Sequence, residues 1–338
     1  MNRALIAGVG VLVAAFAAFP AEAERVYWAD RGADVIQSAN HDGTNVQIVV
    51  SATEPHSVEL NLAAGMIYWT ARDAGQGVIG RAQLDGSSPE TVLSTGDELP
   101  QSIVLDASVG KMFWTAGAGA DSKVMSADLD GQNVEELDLF PSSRPRAIAI
   151  DRANERYYWS VQIGAGYLIR RANYDGSGVI EISLVGSPGE GNSTYGIAVD
   201  SLRAKIYWTA GSDCVPCDQI VRADLDGSNQ EYIASGLFEI VELAIAEDAG
   251  QIYWCESYWD SPGIGSRVVR ADLDTMNVST FVDGLEDAFD VTIEPAEQVV
   301  PSTSALGLVL IVFALGAIST VALLRRRRID AGTEIDPL

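Results

Sequence analysis

Between residues 26 and 294 the chain alternates short runs of apolar and β-branched residues with polar turn segments, and the alternation itself repeats. One unit reads Gly196-Ile-Ala-Val-Asp200, Lys205-Ile-Tyr-Trp-Thr209, Gln219-Ile-Val-Arg-Ala-Asp224 and Gln230-Glu-Tyr-Ile-Ala234. Each run has the composition of a strand, and turn-forming residues separate it from the next. The second run carries an aromatic pair that recurs six times, at Tyr27-Trp28, Tyr68-Trp69, Phe113-Trp114, Tyr158-Trp159, Tyr207-Trp208 and Tyr253-Trp254. The tryptophans are 41, 45, 45, 49 and 46 residues apart, a period that marks a repeat architecture. Four antiparallel strands repeated six times predict an all-β, six-bladed propeller of four-stranded blades.

Between the third and fourth runs stands Asp-Gly, at Asp42-Gly43, Asp85-Gly86, Asp130-Gly131, Asp175-Gly176 and Asp226-Gly227, and the pair predicts a two-residue type I′ hairpin. The sixth unit has Asp274-Thr275 there, which predicts a looser turn. First runs such as Ile103-Val-Leu, Ile148-Ala-Ile and Ile197-Ala-Val are apolar on both faces, as expected of innermost strands covered by a blade on each side. The six tryptophans would fill the wedges between blades. The first unit lacks a first strand, and a surplus run, Phe289-Asp-Val-Thr-Ile-Glu294, follows the sixth. Pairing the two would close the ring and hide two open sheet edges, giving one domain over residues 24–298.

The strings IYWT, IVRADLDGSN and YGIAVD resemble the class B repeats of the low-density lipoprotein receptor, the YWTD propeller family. The resemblance covers about four fifths of the chain and implies the propeller fold and a protein-binding role outside the cell. The last residue of the family motif survives only as Asp30; Ala71, Ala116, Val161, Ala210 and Glu256 stand in the other copies.

The ends predict export. Arg3, the apolar stretch Ala4 to Phe19 and Ala21-Glu-Ala23 read as a signal peptide over residues 1–23. Residues 299–304 form a linker, and Ala305 to Leu324 is an uncharged stretch long enough for a membrane-spanning helix. Arg325 to Arg328 would hold a short tail, residues 325–338, inside, with the propeller outside. This tripartite end resembles the PEP-CTERM and IPTL sorting tails of exported bacterial proteins, with a plain membrane anchor as the alternative.

Charge narrows the partners. The full chain has 22 Lys and Arg against 47 Asp and Glu, a field that repels nucleic acid and favours basic ligands or divalent cations. Of the three cysteines, Cys214 and Cys217 suggest a small disulfide clasp, with a bridge to Cys255 as the alternative. Strand parity sorts the loops into a short-turn face, with the first-to-second and third-to-fourth connections, and a variable face with longer segments. On the variable face lies the one tryptophan outside the repeat, Trp259. Tyr258 and Trp259 are therefore expected contact residues, with Glu256, Asp260, Phe238 and Glu239 beside them.

A second set ends the inner strands on the short-turn face: Asn61, Asp106, Asp151, Asp200, Ala246 and Glu294. Asp106, Asp151, Asp200 and Glu294 could form a partial ring that holds Ca²⁺, or each could cap its own turn. No other cofactor is expected. The two histidines, His41 and His56, fall in connections of opposite faces, so no hydrolytic triad assembles easily. The expected function is a non-catalytic, membrane-tethered propeller that binds an extracellular or envelope protein or peptide. The alternatives are a divalent-metal-dependent lactonase or lyase on the carboxylate ring, and an envelope or matrix scaffold.

Overall fold

The computed structural model describes residues 25–117, 122–139, 143–163, 166–182, 194–211, 216–257 and 265–294. The signal peptide, the linker, the apolar stretch 305–324 and the tail lie outside them. Among the described residues no helix is long and apolar enough to cross a membrane.

These residues form 24 strands in six four-stranded sheets. Blade 1 joins β1 (Arg25–Asp30), β2 (Val35–Asn40) and β3 (Gln47–Ser51) to the last strand, β24 (Ala288–Ile293). Blade 2 is β4 (Ser57–Asn61), β5 (Met66–Asp73), β6 (Gln76–Gln83) and β7 (Glu90–Gly96). Blade 3 is β8 (Pro100–Asp106), β9 (Lys111–Ala116), β10 (Lys123–Asp128) and β11 (Glu135–Leu139). Blade 4 is β12 (Ser143–Asp151), β13 (Arg156–Ile163), β14 (Gly166–Asn173) and β15 (Ile180–Ile182). Blade 5 is β16 (Ile197–Asp200), β17 (Lys205–Ala210), β18 (Asp218–Asp224) and β19 (Glu231–Leu237). Blade 6 is β20 (Ile240–Ala246), β21 (Gln251–Glu256), β22 (Ser266–Asp272) and β23 (Ser279–Leu285). The expected closure is present: β24 pairs antiparallel with β1, with Val291 opposite Trp28 and Ile293 opposite Val26.

The core is divided among the six seams between blades. At the closing seam Val26, Trp28 and Ala39 of blade 1 pack with Tyr253, Phe281 and Leu285 of blade 6 and with Ala288 and Val291 of β24. The other five seams are built the same way, each from two neighbouring blades. All six repeat tryptophans are buried, Trp69 at 6% exposure and the others at 1% or less. Trp69 lies flat across Gly80, where a Cβ would come within 2.4 Å of its ring.

The rest of the motif binds blade to blade with polar groups. The Tyr68 hydroxyl donates to the Leu129 carbonyl of blade 3 at 3.1 Å, and Arg81 Nη1 donates to the same oxygen at 3.2 Å. Tyr158 and Arg171 repeat the arrangement on the Leu225 carbonyl of blade 5. At the closing seam Arg270 Nη1 donates to the His41 carbonyl at 2.6 Å, and the Tyr253 hydroxyl lies 2.9 Å from His41 Nε2. The residue after the tryptophan reaches across as well: Thr70 donates to the Gln101 carbonyl and Thr115 to the Arg146 carbonyl. Where Phe113 replaces the tyrosine no hydroxyl is available. There Tyr174 of the next blade lies against the Phe113 ring, 4.6 Å between centroids, and donates to Asp106 Oδ2 at 2.8 Å.

Asp30 has a role that fits its survival in blade 1 alone. It accepts from the amides of Asp287 at 2.9 Å and Glu286 at 3.3 Å, just before β24. Blade 1 is the blade whose first and second strands are not consecutive in sequence, so this bond ties the two ends of the domain together. Arg31 adds a salt bridge to Asp287 at 2.7 Å.

The Asp-Gly turns correct the expected type I′ geometry. The glycines have positive φ, +81° at Gly43 and +80° at Gly86, but the preceding aspartates do not. Gly43 N bonds to Asn40 O and Asn40 N to Thr44 O, so the connection is a type I turn followed by a left-handed glycine bulge. The aspartate caps the turn instead, with Asp42 Oδ1 accepting from the Thr44 amide at 2.9 Å. In blade 6 the left-handed position moves to Met276, which bonds to the Asp272 carbonyl, the looser turn expected there.

Two substitutions test this account by chemical denaturation. Trp159→Ala empties one seam and is expected to cost about 3–5 kcal/mol. Tyr158→Phe keeps the wedge but removes one inter-blade hydrogen bond, and should cost about 1 kcal/mol.

Candidate functional site: an acidic axial cavity

The six inner strands, β4, β8, β12, β16, β20 and β24, surround an axial cavity of about 650 Å³. In each, the residue paired with the motif tryptophan is apolar: Val58, Ile103, Ile148, Ile197, Leu243 and Val291. Its N–H lies on an edge of the sheet with no further strand to bond to. The residue just before it solves the problem across the seam. Ser57 Oγ accepts from Ile103 N at 3.1 Å, and Ser102 Oγ from Ile148 N at 3.3 Å.

Two blades use carboxyl groups for the same task. Asp290 Oδ2 accepts from Val58 N at 2.8 Å, and Oδ1 from its own neighbour Val291 N at 2.8 Å. Glu242 Oε1 accepts from Ile197 N at 3.0 Å. It reaches back over Gly196, where a Cβ would stand 3.0 Å from that oxygen. A third carboxyl, Glu59, sits two residues along from Ser57. It accepts from Thr292 Oγ1 at 3.1 Å and pairs with Arg152 at 3.3 Å.

Glu59, Glu242 and Asp290 therefore line one stretch of the cavity wall, on β4, β20 and β24. Burial pushes the Asp290 carboxyl up to about 7, and the charge of Glu59 adds to the shift. Burial and then Asp290 hold Glu242 well above the usual carboxylate range. Burial raises Glu59 too, and Arg152 opposes that rise. These three were not singled out from the sequence. Aligning the repeats would have exposed them, because Glu242 and Asp290 occupy the column of Ser57, Ser102, Ala147 and Gly196. Glu59 occupies that of Val104, Ala149, Ala198 and Ala244.

The lining runs from this ring to the first-to-second turns, through Ala63, Ala107, Arg152, Ser201 and Asp248. The collar at the other end, which includes His56, Arg146, Tyr195 and Phe289, is not part of it. The lining thus reaches the short-turn face. In the collar His56 meets Phe289 edge to face at 5.2 Å, and the Arg146 guanidinium lies 4.7 Å from the Tyr195 ring centroid. Burial and nearby Arg31 and Arg72 push His56 down to about 4, so it is neutral at physiological pH.

The carboxylates expected to ring the axis do not do so. Asp106, Asp151 and Asp200 are at most 1% exposed, and neither they nor Glu294 line the cavity. The three aspartates are engaged by their own turns, Asp106 Oδ1 by Ser108, Asp151 by Asn154, and Asp200 by the Arg203 amide and guanidinium, while Asp106 Oδ2 accepts from Tyr174 of the next blade. For Asp106, Asp151 and Asp200 the capping alternative is the one realised, and these three do not face the axis as the ring expected. Among the described residues no group of three or more His, Cys, Asp or Glu is arranged to hold a metal ion.

On the variable face, Tyr258, Trp259 and Asp260 lie outside the described residues. Glu256 is buried at 1% exposure, so it is no contact residue. Its carboxylate accepts from the Trp254 indole N–H at 3.0 Å and pairs with Arg267 at 2.6 Å. Phe238 lies under the Arg267 guanidinium at 6.0 Å, and the Glu239 carbonyl accepts from the Ser257 amide. Cys217 is disulfide-bonded, while Cys255 is a free, fully buried thiol, which removes the alternative bridge to Cys255. Cys214 lies outside the described residues.

No protein-family model matches the chain. Solved structures do. A chain from a nidogen–laminin complex superposes with a TM-score of 0.66 at 18% identity, over 80% of this chain and 98% of that one. TolB from Acinetobacter baumannii superposes with a TM-score of 0.64 at 13% identity, over 80% of this chain and 67% of that one. A protein from Lactobacillus plantarum gives 0.56 at 11% identity, over 80% and 99%. At these identities the likeness establishes the six-bladed fold.

A thiol titration tests the cysteine chemistry. Burial and the neighbouring carboxylates push the Cys255 thiol well up, so an aqueous thiol reagent should find no reactive group in the native chain. Unfolding without reductant should release one thiol per chain. A larger number would overturn the disulfide at Cys217.

Proposed function

We propose that the chain is a non-catalytic recognition propeller, exported and tethered by its C-terminal apolar segment. Its axial cavity receives a basic side chain of a protein or peptide partner from the short-turn face. The observation that carries this reading is the charge of the wall. Among the described residues Glu59, Glu242, Glu247, Asp248 and Asp290 line the cavity against one cation, Arg152, which is already engaged by Glu59. A cationic group entering there would stabilise the ionised forms that burial disfavours. The acidic excess of the whole chain would steer such a partner toward it. The nidogen–laminin likeness supports a role in protein assembly, since that propeller was crystallised in a complex.

The metal-dependent alternative has less support, because its expected carboxylates are bonded to their own turns. Nor do the two histidines offer a base within reach of each other. His41 bonds to Gln251 and Tyr253, and His56 packs on Phe289 at the collar. The Tyr258–Trp259 loop is the alternative contact surface, on the opposite face.

Fluorescence anisotropy with the full chain in detergent, against lysine-rich, neutral and acidic labelled peptides, tests the reading. Saturable binding of the basic peptide alone is expected, weakening as salt rises. Asp290→Asn should reduce affinity about tenfold. Binding should also be tighter at about pH 8 than at about pH 6, because Asp290, with its value near 7, must lose its proton to pair with the cation. Undiminished binding by Asp290→Asn, with loss in Tyr258→Ala/Trp259→Ala, would move the site to the variable face. Equal binding of all three peptides would remove the electrostatic reading.

A further inference from the structure

We propose that the carboxyls of buried Asp290 and half-buried Glu242 and Glu59 form a proton-dependent latch on the strand that closes the propeller. The observation behind this is where they sit. Five of the inner strands are continuous with their own blades, but β24 arrives from the far end of the domain and is held in blade 1 by non-covalent contacts. Asp290 is at its centre, and its oxygens take the amides of Val58 on β4 and Val291 on β24 itself. At the corresponding positions of blades 2 and 3 uncharged Ser57 and Ser102 bridge the seam. Among the described residues the ionisable bridging groups are Asp290, on β24 itself, and Glu242, on the neighbouring β20.

The surroundings decide the sign. Facing Asp290 are Glu59 from β4, Glu242 from β20 and the Cys255 thiol from β21. The charged groups packed nearby are committed elsewhere. From β1, Arg25 bonds to Ser38 and Asn40, and Asp30 to the Glu286 and Asp287 amides. From β22, Arg267 pairs with Glu256 and Arg270 with the His41 carbonyl. Arg152 reaches Glu59 but is itself largely exposed. Ionising all three carboxyls would put three negative charges on one stretch of wall with one largely exposed counter-charge.

Asp290 has a folded value of about 7 against 3.8 for the free side chain. The folded state therefore holds a proton that the unfolded state has lost between those values. Stability falls as pH rises through that window and levels off above it. His56 works the other way. Its value of about 4 against 6.5 adds stability as pH rises, and that contribution is complete near 6.5. A fall in stability above that point belongs to the carboxyl cluster.

The test is thermal unfolding of the full chain in detergent from about pH 6 to about pH 8, beside Asp290→Asn and Asp290→Ser. Asp290→Ser copies the residue that blades 2 and 3 already use at this position. Wild-type Tm should fall by about 2–4 °C across the window relative to either variant, and the variants should be the more stable at the alkaline end. Hydrogen-exchange protection over residues 286–294 should drop in wild type at the alkaline end and hold in Asp290→Ser, with the β12 segment, whose Ile148 amide is held by uncharged Ser102, unchanged in both. If variants with native circular dichroism show the wild-type slope, or if β12 loses protection along with β24, the latch is overturned. Neither readout depends on a bound peptide, so the latch and the recognition role stand or fall separately.

Discussion

A four-stranded blade has two apolar faces and covers neither by itself. Every other feature of this protein follows from that constraint. The repeat tryptophans fill the wedge between blades, the motif tyrosines and strand-three arginines grip the turn of the next blade, and Thr70 and Thr115 bridge neighbouring backbones. Stability resides in six similar seams. Because the blades form a ring, blade 1 must close without chain continuity between its inner strand β24 and β1. The devices concentrated there reflect that demand: Asp30 on the loop before β24, Arg31 on Asp287, and His41 under Tyr253 and Arg270.

The inner strands carry a second demand. Their axial edges have N–H groups with no further strand to receive them, and an unpaired buried N–H is costly. Serine meets the demand in blades 2 and 3 without charge. Asp290 and Glu242 meet it with carboxyl groups, which bring an ionisation cost into the wall of the cavity. One side chain thus serves the backbone ring, sets the charge of the axial cavity and makes the closing strand sensitive to protons. The same desolvation that raises Asp290 toward neutrality would be relieved by an entering cation, so partner binding and proton release would be coupled.

Much of the frame was legible in the chain alone. The spacing of the aromatic pairs, the Asp-Gly turns and the surplus run at Phe289–Glu294 determined the number of blades, their four strands and the manner of closure. They do so because burial on both faces imposes a local pattern that repeats with the structure. The caps at Asp106, Asp151 and Asp200 were also readable as one of two alternatives, since a turn aspartate acts on residues two or three positions away. Turn geometry was less so: Asp-Gly allows both a two-residue hairpin and a glycine bulge, and the register of the flanking strands selected the bulge.

What the tertiary structure decided is the site. Glu59, Glu242 and Asp290 lie in three different blades, far apart in sequence, and only ring closure brings them to one wall. Glu256 looked like a contact residue beside an aromatic loop, yet packing turns its carboxylate onto Trp254 and Arg267. That the cavity lining reaches the short-turn face was equally hidden, because it depends on how all six inner strands come together at the axis. Sequence determined the repeating contacts, which are local or between neighbours one period apart. Charge environment and access arise only from all six blades together.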